Sequence, residues 1–134
     1  MKNNIILEKS FDFSIDIINL YKNMINNKEY VLSKQLLRSA TSIGANMNEA
    51  IKSYSKKDFL YRCVIAFREA GETEYWLNLL FRGNFIDETE HIELIEKCNE
   101  IIRILNSIII TTKSSLKREK INKQIEYNIR DIEN

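Results

Sequence analysis

The 134-residue chain has no proline, three glycines, two cysteines and one histidine. Proline and glycine usually interrupt helices and form tight turns, so their scarcity predicts long helices. The histidine and the cysteines are too few and too far apart for the usual zinc-binding patterns. The apolar runs are only a few residues long, whereas a membrane-spanning helix needs about 20. We therefore expect a soluble, all-α protein without a metal centre.

Lysine and arginine number 20 and aspartate and glutamate 19, which gives a net charge of +1. No strong overall field draws such a chain to nucleic acid, so any such contact must come from a local patch. Cys63 and Cys98 fall on apolar helical stripes, which suits buried thiols in a reducing compartment. The segment MKNNIILEKSFDF lacks the continuous apolar stretch of a signal peptide. These features predict a cytoplasmic protein with no membrane contact.

Apolar residues recur every three or four positions in four segments, which predicts helices at about residues 8–27, 30–54, 56–82 and 88–116. Ser55 and Asp58 have the form of a capping box, and Asp87 or Thr89 can cap the last helix. Gly83 stands where a left-handed residue often ends a helix. Short turns force neighbouring helices to run in opposite directions. The prediction is one domain over residues 1–116, a left-handed up-and-down four-helix bundle.

The apolar stripes predict which face of each helix lies in the core. The stripe of the second helix is Leu36, Ala40, Ile43, Met47, Ala50 or Ile51, and Tyr54. Small residues crowd the middle of this helix and allow a neighbour to come close. The first stripe is Phe11, Ile15, Ile18, Tyr21 and Ile25, with Ile17, Leu20 and Met24 beside it. The third, a coiled-coil-like seam, is Phe59, Cys63, Ala66, Ala70, Thr73, Leu77 and Leu80. The fourth is Ile92, Ile95, Cys98, Ile102, Leu105, Ile109, Thr112 and Leu116.

Residues 117–134 form a polar tail that still carries isoleucines at helical spacing: Ile121, Ile125, Ile129 and Ile132. The tail can extend the fourth helix, dock on a neighbour or fray, and we favour a mobile or partner-dependent helix.

The third helix carries many apolar residues outside its seam, which either a wide core or an oligomer interface would explain. We favour self-association. Aromatic residues are common at the centres of interfaces, so the predicted anchors are Tyr75, Trp76 and Phe81.

A polar ridge runs beside the apolar stripe of the second helix, and the third helix carries carboxylates beside its seam. If the two ridges face each other, an arginine can pair with a carboxylate across the helices. We predict a buried polar network that fixes helix register, with solvated outer faces as the alternative. Its predicted members are Arg38, Ser42, Asn46, Glu49 and Glu72.

Basic residues gather at the turn between the second and third helices and at the end of the fourth. In an up-and-down bundle these two places share one end, so their charges can merge into a surface for RNA or DNA phosphates. Ordinary solvated helix ends are the alternative. The predicted residues are Lys52, Lys56, Lys57, Arg62, Lys113, Lys117, Arg118, Lys120 and Lys123.

Catalytic equipment is missing from the sequence. There is no glycine-rich phosphate loop, and His91 lies in an acidic first helical turn that suits a surface residue. We expect no enzyme activity, no catalytic residue, no metal and no cofactor. The alternative to nucleic-acid binding is a scaffold that docks a partner protein through the oligomer or the tail.

The segment from Leu36 to Leu80 resembles the four helix bundle proteins, also called 23S rRNA-intervening-sequence proteins. Ser55, Asp58 and Phe59 match the start of the family's third helix. Residues 72–77 match its later Glu-Thr-Glu-Tyr-Trp-Leu motif. The match on the second helix is carried by Arg38, Ser39, Ser42, Ile43, Asn46 and Glu49.

This resemblance implies a bundle that assembles into a ring, typically a homopentamer, with no known catalytic activity. Some members are encoded by intervening sequences in ribosomal RNA genes. A related branch, the accessory proteins of diversity-generating retroelements, is strongly basic and binds nucleic acid and a reverse transcriptase. The present chain departs from that branch in its net charge of +1.

Overall fold

A computed structural model describes the backbone of residues 2–134 and the side chains of residues 5–134. Within that span the chain forms four helices and no strand: α1 (Lys2–Asn26), α2 (Leu32–Ile51), α3 (Lys56–Arg82) and α4 (Glu88–Glu133). The predicted all-α four-helix bundle is therefore confirmed. Helix α1 begins at residue 2 rather than 8, and α2 is shorter than predicted at both ends. The predicted tail continues α4 as regular helix.

The helices pack in chain order around the core. Helix α1 contacts α2 and α4, and α3 contacts α2 and α4, while the described residues make no diagonal contacts. Only residues 27–31, 52–55 and 83–87 connect the helices, so neighbours run antiparallel. The beginnings of α1 and α3 thus lie at the same end of the bundle as the end of α2. We call this the lower end, and α4 passes it on its way to residue 133.

The seam between α2 and α3 forms the middle of the core. Ala40 and Met47 of α2 and Ala66, Ala70 and Leu77 of α3 are fully buried. Several of these side chains are small, so the two helix backbones can approach closely. The structure buries the residues predicted for the stripes of α2 and α3, with three exceptions. Phe59 is only partly buried, and Ile51 and Tyr54 are exposed.

The buried face of α1 is rotated from the predicted one, because Ile17, Leu20 and Met24 at the side of the predicted stripe are buried and its central residues are not. Phe13 and Ile17 are buried, whereas Phe11 is 67% exposed and Ile15 44% exposed. The two apolar rows lie side by side on this helix, and only the positions of α2 and α4 decide which row faces inward. Helix α4 shows the same ambiguity, because it buries Leu94 and exposes the predicted Ile92.

The helix ends follow capping chemistry. Ser55 Oγ accepts the N–H of Asp58 at 3.1 Å, and Asp87 Oδ1 accepts the N–H of Glu90 at 2.8 Å, so both predicted N-caps are confirmed. The prediction of a left-handed Gly83 is wrong, since its φ is −81°. The left-handed residue is Asn84, with φ of 63°. Helix α3 ends at Arg82 and Gly83 is its C-cap, so the left-handed position falls one residue later, on Asn84. Asparagine tolerates this conformation better than most residues.

Glu29 caps the start of α2, a role that the sequence analysis missed. Its carboxylate accepts the backbone N–H groups of Val31, Leu32 and Ser33 at 3.1, 2.8 and 2.7 Å. Burial raises the pKa of Glu29, but these backbone donors outweigh burial and lower the pKa below its ordinary value of 4.5. The ionised carboxylate therefore stabilises the fold.

We expect Glu29→Gln to lower the free energy of unfolding at pH 7 by about 1 kcal/mol, the usual worth of an N-terminal cap. Because the folded-state pKa is lowered, the contribution is present at neutral pH and is lost as the pH falls below 4.5 towards the folded value. Urea denaturation at pH 7 and pH 3 measures both values. Glu49→Gln is the matched control, since the Glu49 side chain is exposed and makes no hydrogen bond or ion pair in the described structure. An equal loss at both pH values would contradict the capping role.

Candidate nucleic-acid interface

Lys56 joins the start of α3 to α4 at the lower end of the bundle. Its Nζ donates to Ser115 Oγ at 2.7 Å and forms an ion pair with Glu119. The hydrogen bond from Lys56 lowers the pKa of the Glu119 carboxyl. Both side chains are about half exposed, so the pair adds little stability on its own. The pair shows that α4 passes directly beside the first turn of α3.

A groove between these two helices brings the two predicted basic patches together. It has a volume of about 380 Å³. Leu60 and Leu116 form an apolar floor, and the rim is made of lysines from both helices. The rim residues are Lys57, Lys113, Lys117 and Lys120. Four cationic side chains at one groove, with no carboxylate among its lining residues, suit a polyanion.

The other predicted basic residues lie outside this groove. Lys52 is the exposed residue that ends α2. Arg62 turns towards α2, where its Nη1 donates to Asn46 Oδ1 at 3.4 Å, and its guanidinium lies 5.8 Å from the centre of the Tyr61 ring. Arg118 and Lys123 are exposed on α4. The structure therefore gathers Lys56 and four further lysines, and leaves the remaining four residues as separate charges.

Two exposed tyrosines are close in sequence to the groove residues of α3. Tyr54 is fully exposed in the turn before α3, and Tyr61 is 63% exposed on its second turn. Exposed aromatic rings next to cationic side chains are the usual stacking platforms for unpaired bases. The lower end thus offers both charges for phosphates and rings for bases.

Two residues of the predicted buried network, Arg38 of α2 and Glu72 of α3, pair across the helices, but they do so at the surface. Arg38 forms ion pairs with Glu69, at 3.2 Å, and with Glu72, and its side chain is 46% exposed. The hydrogen bond from Arg38 lowers the pKa of Glu72, which also accepts the indole N–H of Trp76 at 3.2 Å.

Three further network residues had been predicted on α2. Ser42 donates its hydroxyl to the carbonyl oxygen of Arg38 at 2.7 Å, and Asn46 donates to that of Ser42 at 2.8 Å. These two bonds stay within α2, although Asn46 also accepts from Arg62 of α3. Glu49 is exposed and its carboxylate takes no part in the described network.

The buried polar contact between α2 and α3 is made by Ser39 and Thr73, whose pairing the sequence analysis did not predict. Their hydroxyl oxygens lie 2.9 Å apart and both residues are fully buried. Carbonyl oxygens of Leu36 and Glu69 provide further hydrogen-bond partners at 3.2 and 2.8 Å. These two carbonyl contacts stay within their own helices, so only the hydrogen bond between Ser39 and Thr73 joins α2 to α3 and favours the observed register.

The three predicted interface aromatics differ in exposure. Trp76 and Phe81 are partly buried against the core, and the Phe81 ring stacks on His91 with ring centres 4.2 Å apart. Tyr75 is 58% exposed and meets the edge of Trp76. Together with the exposed Leu79, it forms the outer apolar surface of α3.

Comparison with known proteins identifies the group to which this bundle belongs. The family model described as 23S rRNA-intervening sequence protein matches residues 2–107. The chain belongs to this family. The resemblance inferred from residues 36–80 is thus confirmed. The matched span of the 23S rRNA-intervening sequence family ends inside α4, so Lys57 and Leu60 of the groove lie within it and the groove residues of α4 lie beyond it.

A solved structure supports the assignment. The chain is similar to a protein with unknown function from the S23 ribosomal protein family of Bacteroides thetaiotaomicron, with 47% sequence identity and a TM-score of 0.80. The match covers 81% of this chain and 98% of that one. No curated protein matches the chain.

The side chains most suited to chemistry, two cysteines and one histidine, are either buried or hydrogen-bonded to a neighbour. Burial raises the pKa of the Cys63 thiol to about 11 and that of Cys98 to about 12. Cys98 Sγ also lies 3.4 Å from the carbonyl oxygen of Ala70. His91 Nε2 lies 2.8 Å from Asn78 Oδ1. Within residues 5–134 no group of three or more His, Cys, Asp or Glu side chains could hold a metal ion.

In the part of the chain that the structure describes, no helix has a stretch both long enough and apolar enough to cross a bilayer.

We expect both thiols of the native protein to be almost inert towards Ellman's reagent at pH 8. With a pKa of about 11, only about one Cys63 side chain in a thousand is a thiolate at that pH, and burial hinders access further. In 6 M guanidinium chloride both thiols should react within minutes. A native thiol that reacts as fast as free cysteine would show that one of these side chains is exposed.

Proposed function

We propose that the protein is a self-associating, non-enzymatic RNA-binding protein that holds RNA at the lower end of its bundle. The observation that supports this most directly is the groove rimmed by Lys57, Lys113, Lys117 and Lys120. Lysine side chains bind phosphates without regard to base sequence. The local charge of the groove also explains how a chain with a net charge of +1 would bind a polyanion.

RNA is the polyanion that the comparisons favour. The family is named for an intervening sequence of 23S rRNA, and the structural relative for a ribosomal protein family. The exposed rings of Tyr54 and Tyr61 add a reason from the structure, because unpaired RNA bases stack on such rings. Binding of DNA by the same lysines is the competing outcome, and a scaffold that binds a partner protein is the alternative function.

Self-association is part of the proposal. A single groove offers few phosphate contacts, whereas several copies side by side multiply them and raise the apparent affinity. Tyr75 and Leu79 give α3 an exposed apolar surface that soluble monomers seldom keep. The implied ring of the family, typically a pentamer, would cover such a surface.

We also propose that the protein is not an enzyme, because its two thiols, the candidate nucleophiles, are buried and protonated. Cys63 and Cys98 are buried and their raised pKa values keep them protonated at neutral pH. Thiols of this kind suit a reducing compartment, so we place the protein in the cytoplasm.

We expect Lys113→Gln, Lys117→Gln and Lys120→Gln together to weaken binding of labelled single-stranded RNA. For single strands each lost phosphate contact lowers the slope of log affinity against log salt concentration by about 0.7, so the slope should fall by about 2. Fluorescence anisotropy between 50 and 200 mM salt measures it. A labelled DNA strand of the same sequence tests the preference for RNA.

The matched control removes three lysines from the opposite end of the bundle, as Lys22→Gln, Lys28→Asn and Lys34→Gln. Asparagine is chosen because residue 28 has a positive φ of 65°. This variant has the same net charge as the groove variant and should retain the full slope. Equal weakening by both variants, or no binding by the unmodified protein at 50 mM salt, would reject the proposed groove.

We expect Tyr75→Glu to lower the mass of the assembly in multi-angle light scattering at micromolar concentration. The exposed ring would otherwise be covered by another copy, and a buried carboxylate there carries a large desolvation cost. Tyr54→Glu is the control, because Tyr54 is fully exposed at the other end of α3 and lies off this surface. A monomeric unmodified protein would contradict self-association.

A further inference from the structure

The last part of α4 carries an apolar stripe that the described structure leaves uncovered. All residues from 117 to 134 are exposed. Ile121, Ile125 and Ile129 are 49%, 50% and 50% exposed, and Ile132 is 84% exposed. Lys56 holds α4 at Ser115 and Glu119, so the bundle supports the helix up to that point. The remaining 14 helical residues, which we call the extension (residues 120–133), project roughly 20 Å.

The bundle of the same chain cannot cover this stripe. Successive residues of an α-helix are about 100° apart around its axis. The core-facing residues of α4, such as Leu105 and Ile109, therefore lie roughly 150° around the axis from the centre of the isoleucine stripe. The stripe points away from the side on which α1 and α3 pack, and α4 is continuous helix with no bend residue such as proline. A partner must come from outside the chain.

The charges on this part of α4 are separated along its length. Residues 120–123, at the start of the extension, hold two basic side chains, Lys120 and Lys123, and no acidic one. Residues 124–134 hold three acidic side chains, Glu126, Asp131 and Glu133, and one basic one, Arg130. A second copy placed antiparallel sets the basic half of each helix against the acidic half of the other. A parallel copy would set like charges together.

We propose that the extension pairs with the extension of a second copy of this chain in an antiparallel two-helix contact, with the isoleucine stripe in its centre. Each copy supplies both the apolar stripe and the complementary charges, so the contact is closed and symmetric. Because it uses residues beyond residue 119, this contact is separate from any association through Tyr75 and Leu79. It does not depend on RNA binding.

The first test is the mass of the full-length protein with Ile125→Asp and Ile129→Asp. Two charges in the centre of the contact should raise its dissociation constant at least about 30-fold, as loss of a central anchor does. In sedimentation velocity at micromolar concentration, the variant should then have half the mass of the unmodified protein. Circular dichroism should show an unchanged melting temperature, because the extension lies outside the core.

The control for added charge is Gln124→Asp with Tyr127→Asp on the same helix, off the isoleucine stripe. It should retain the mass of the unmodified protein. Equal masses for the unmodified protein and the isoleucine variant would overturn the proposal. This holds even if Tyr75→Glu lowers the mass, because the chains would then associate through Tyr75 and Leu79 only. Equal loss of mass in the control would also overturn it, since the effect would then come from charge rather than from the stripe.

The second test measures orientation with a single spin label at Lys117→Cys or at Asn128→Cys. The native thiols are buried and should stay unlabelled. An antiparallel pair centred near residue 126 predicts about 30 Å between labels at position 117 and about 10 Å at position 128. Short distances at both positions would show a parallel pair and reject the antiparallel contact.

Discussion

The close packing of α2 against α3 is the constraint on which the other features depend. Ala40, Ala66 and Ala70 take up little space in this seam, and the buried hydroxyls of Ser39 and Thr73 fix how the two helices align. A slide by one turn would break the hydrogen bond between the two hydroxyls, at a net cost of about 1 kcal/mol, while each hydroxyl would keep its carbonyl partner in its own helix. Because the alignment is fixed and the turn at residues 52–55 is short, the first turn of α3 has one possible position at the lower end.

The position of α3 in turn determines the candidate site. Lys56 reaches α4 only because the seam holds the start of α3 beside residues 115–119. Leu60 and Leu116 are 56 positions apart in the chain, so their meeting in one groove follows from tertiary packing. The same packing diverts Arg62 towards Asn46, which shows that basic residues close in sequence serve different purposes.

The seam and the N-caps could be predicted because their signals are local. The steps of three and four through Cys63, Ala66 and Ala70 continue along most of α3 and so define its seam, although other apolar residues lie beside it. Ser55 and Asp87 each cap a helix by accepting a backbone N–H of the following turn. The buried face of α1 could not be predicted from the sequence. This helix has two apolar rows, one with Phe11 and Ile15 and one with Phe13 and Ile17, and only the neighbouring helices decide which row is buried. In the site, the shared end of the two basic patches followed from topology. The apolar floor of the groove and the ion pair of Glu119 could not be predicted from the topology, because both depend on which side chains of α3 and α4 come into contact.

Helix α4 passes from the bundle into the extension without a break. The direction of the isoleucine stripe therefore depends on the number of residues between the bundle and the stripe. Each residue inserted or deleted between Leu116 and Ile121 would turn the isoleucine stripe by about 100° relative to the bundle. A single-residue deletion would thus aim the stripe at a new direction without altering any side chain in it. Changes of seven residues nearly restore the direction while shifting the stripe about 10 Å along the axis. If the extension pairs with a second copy as proposed, an insertion or deletion in this segment changes the direction of the stripe even when no exposed residue is replaced.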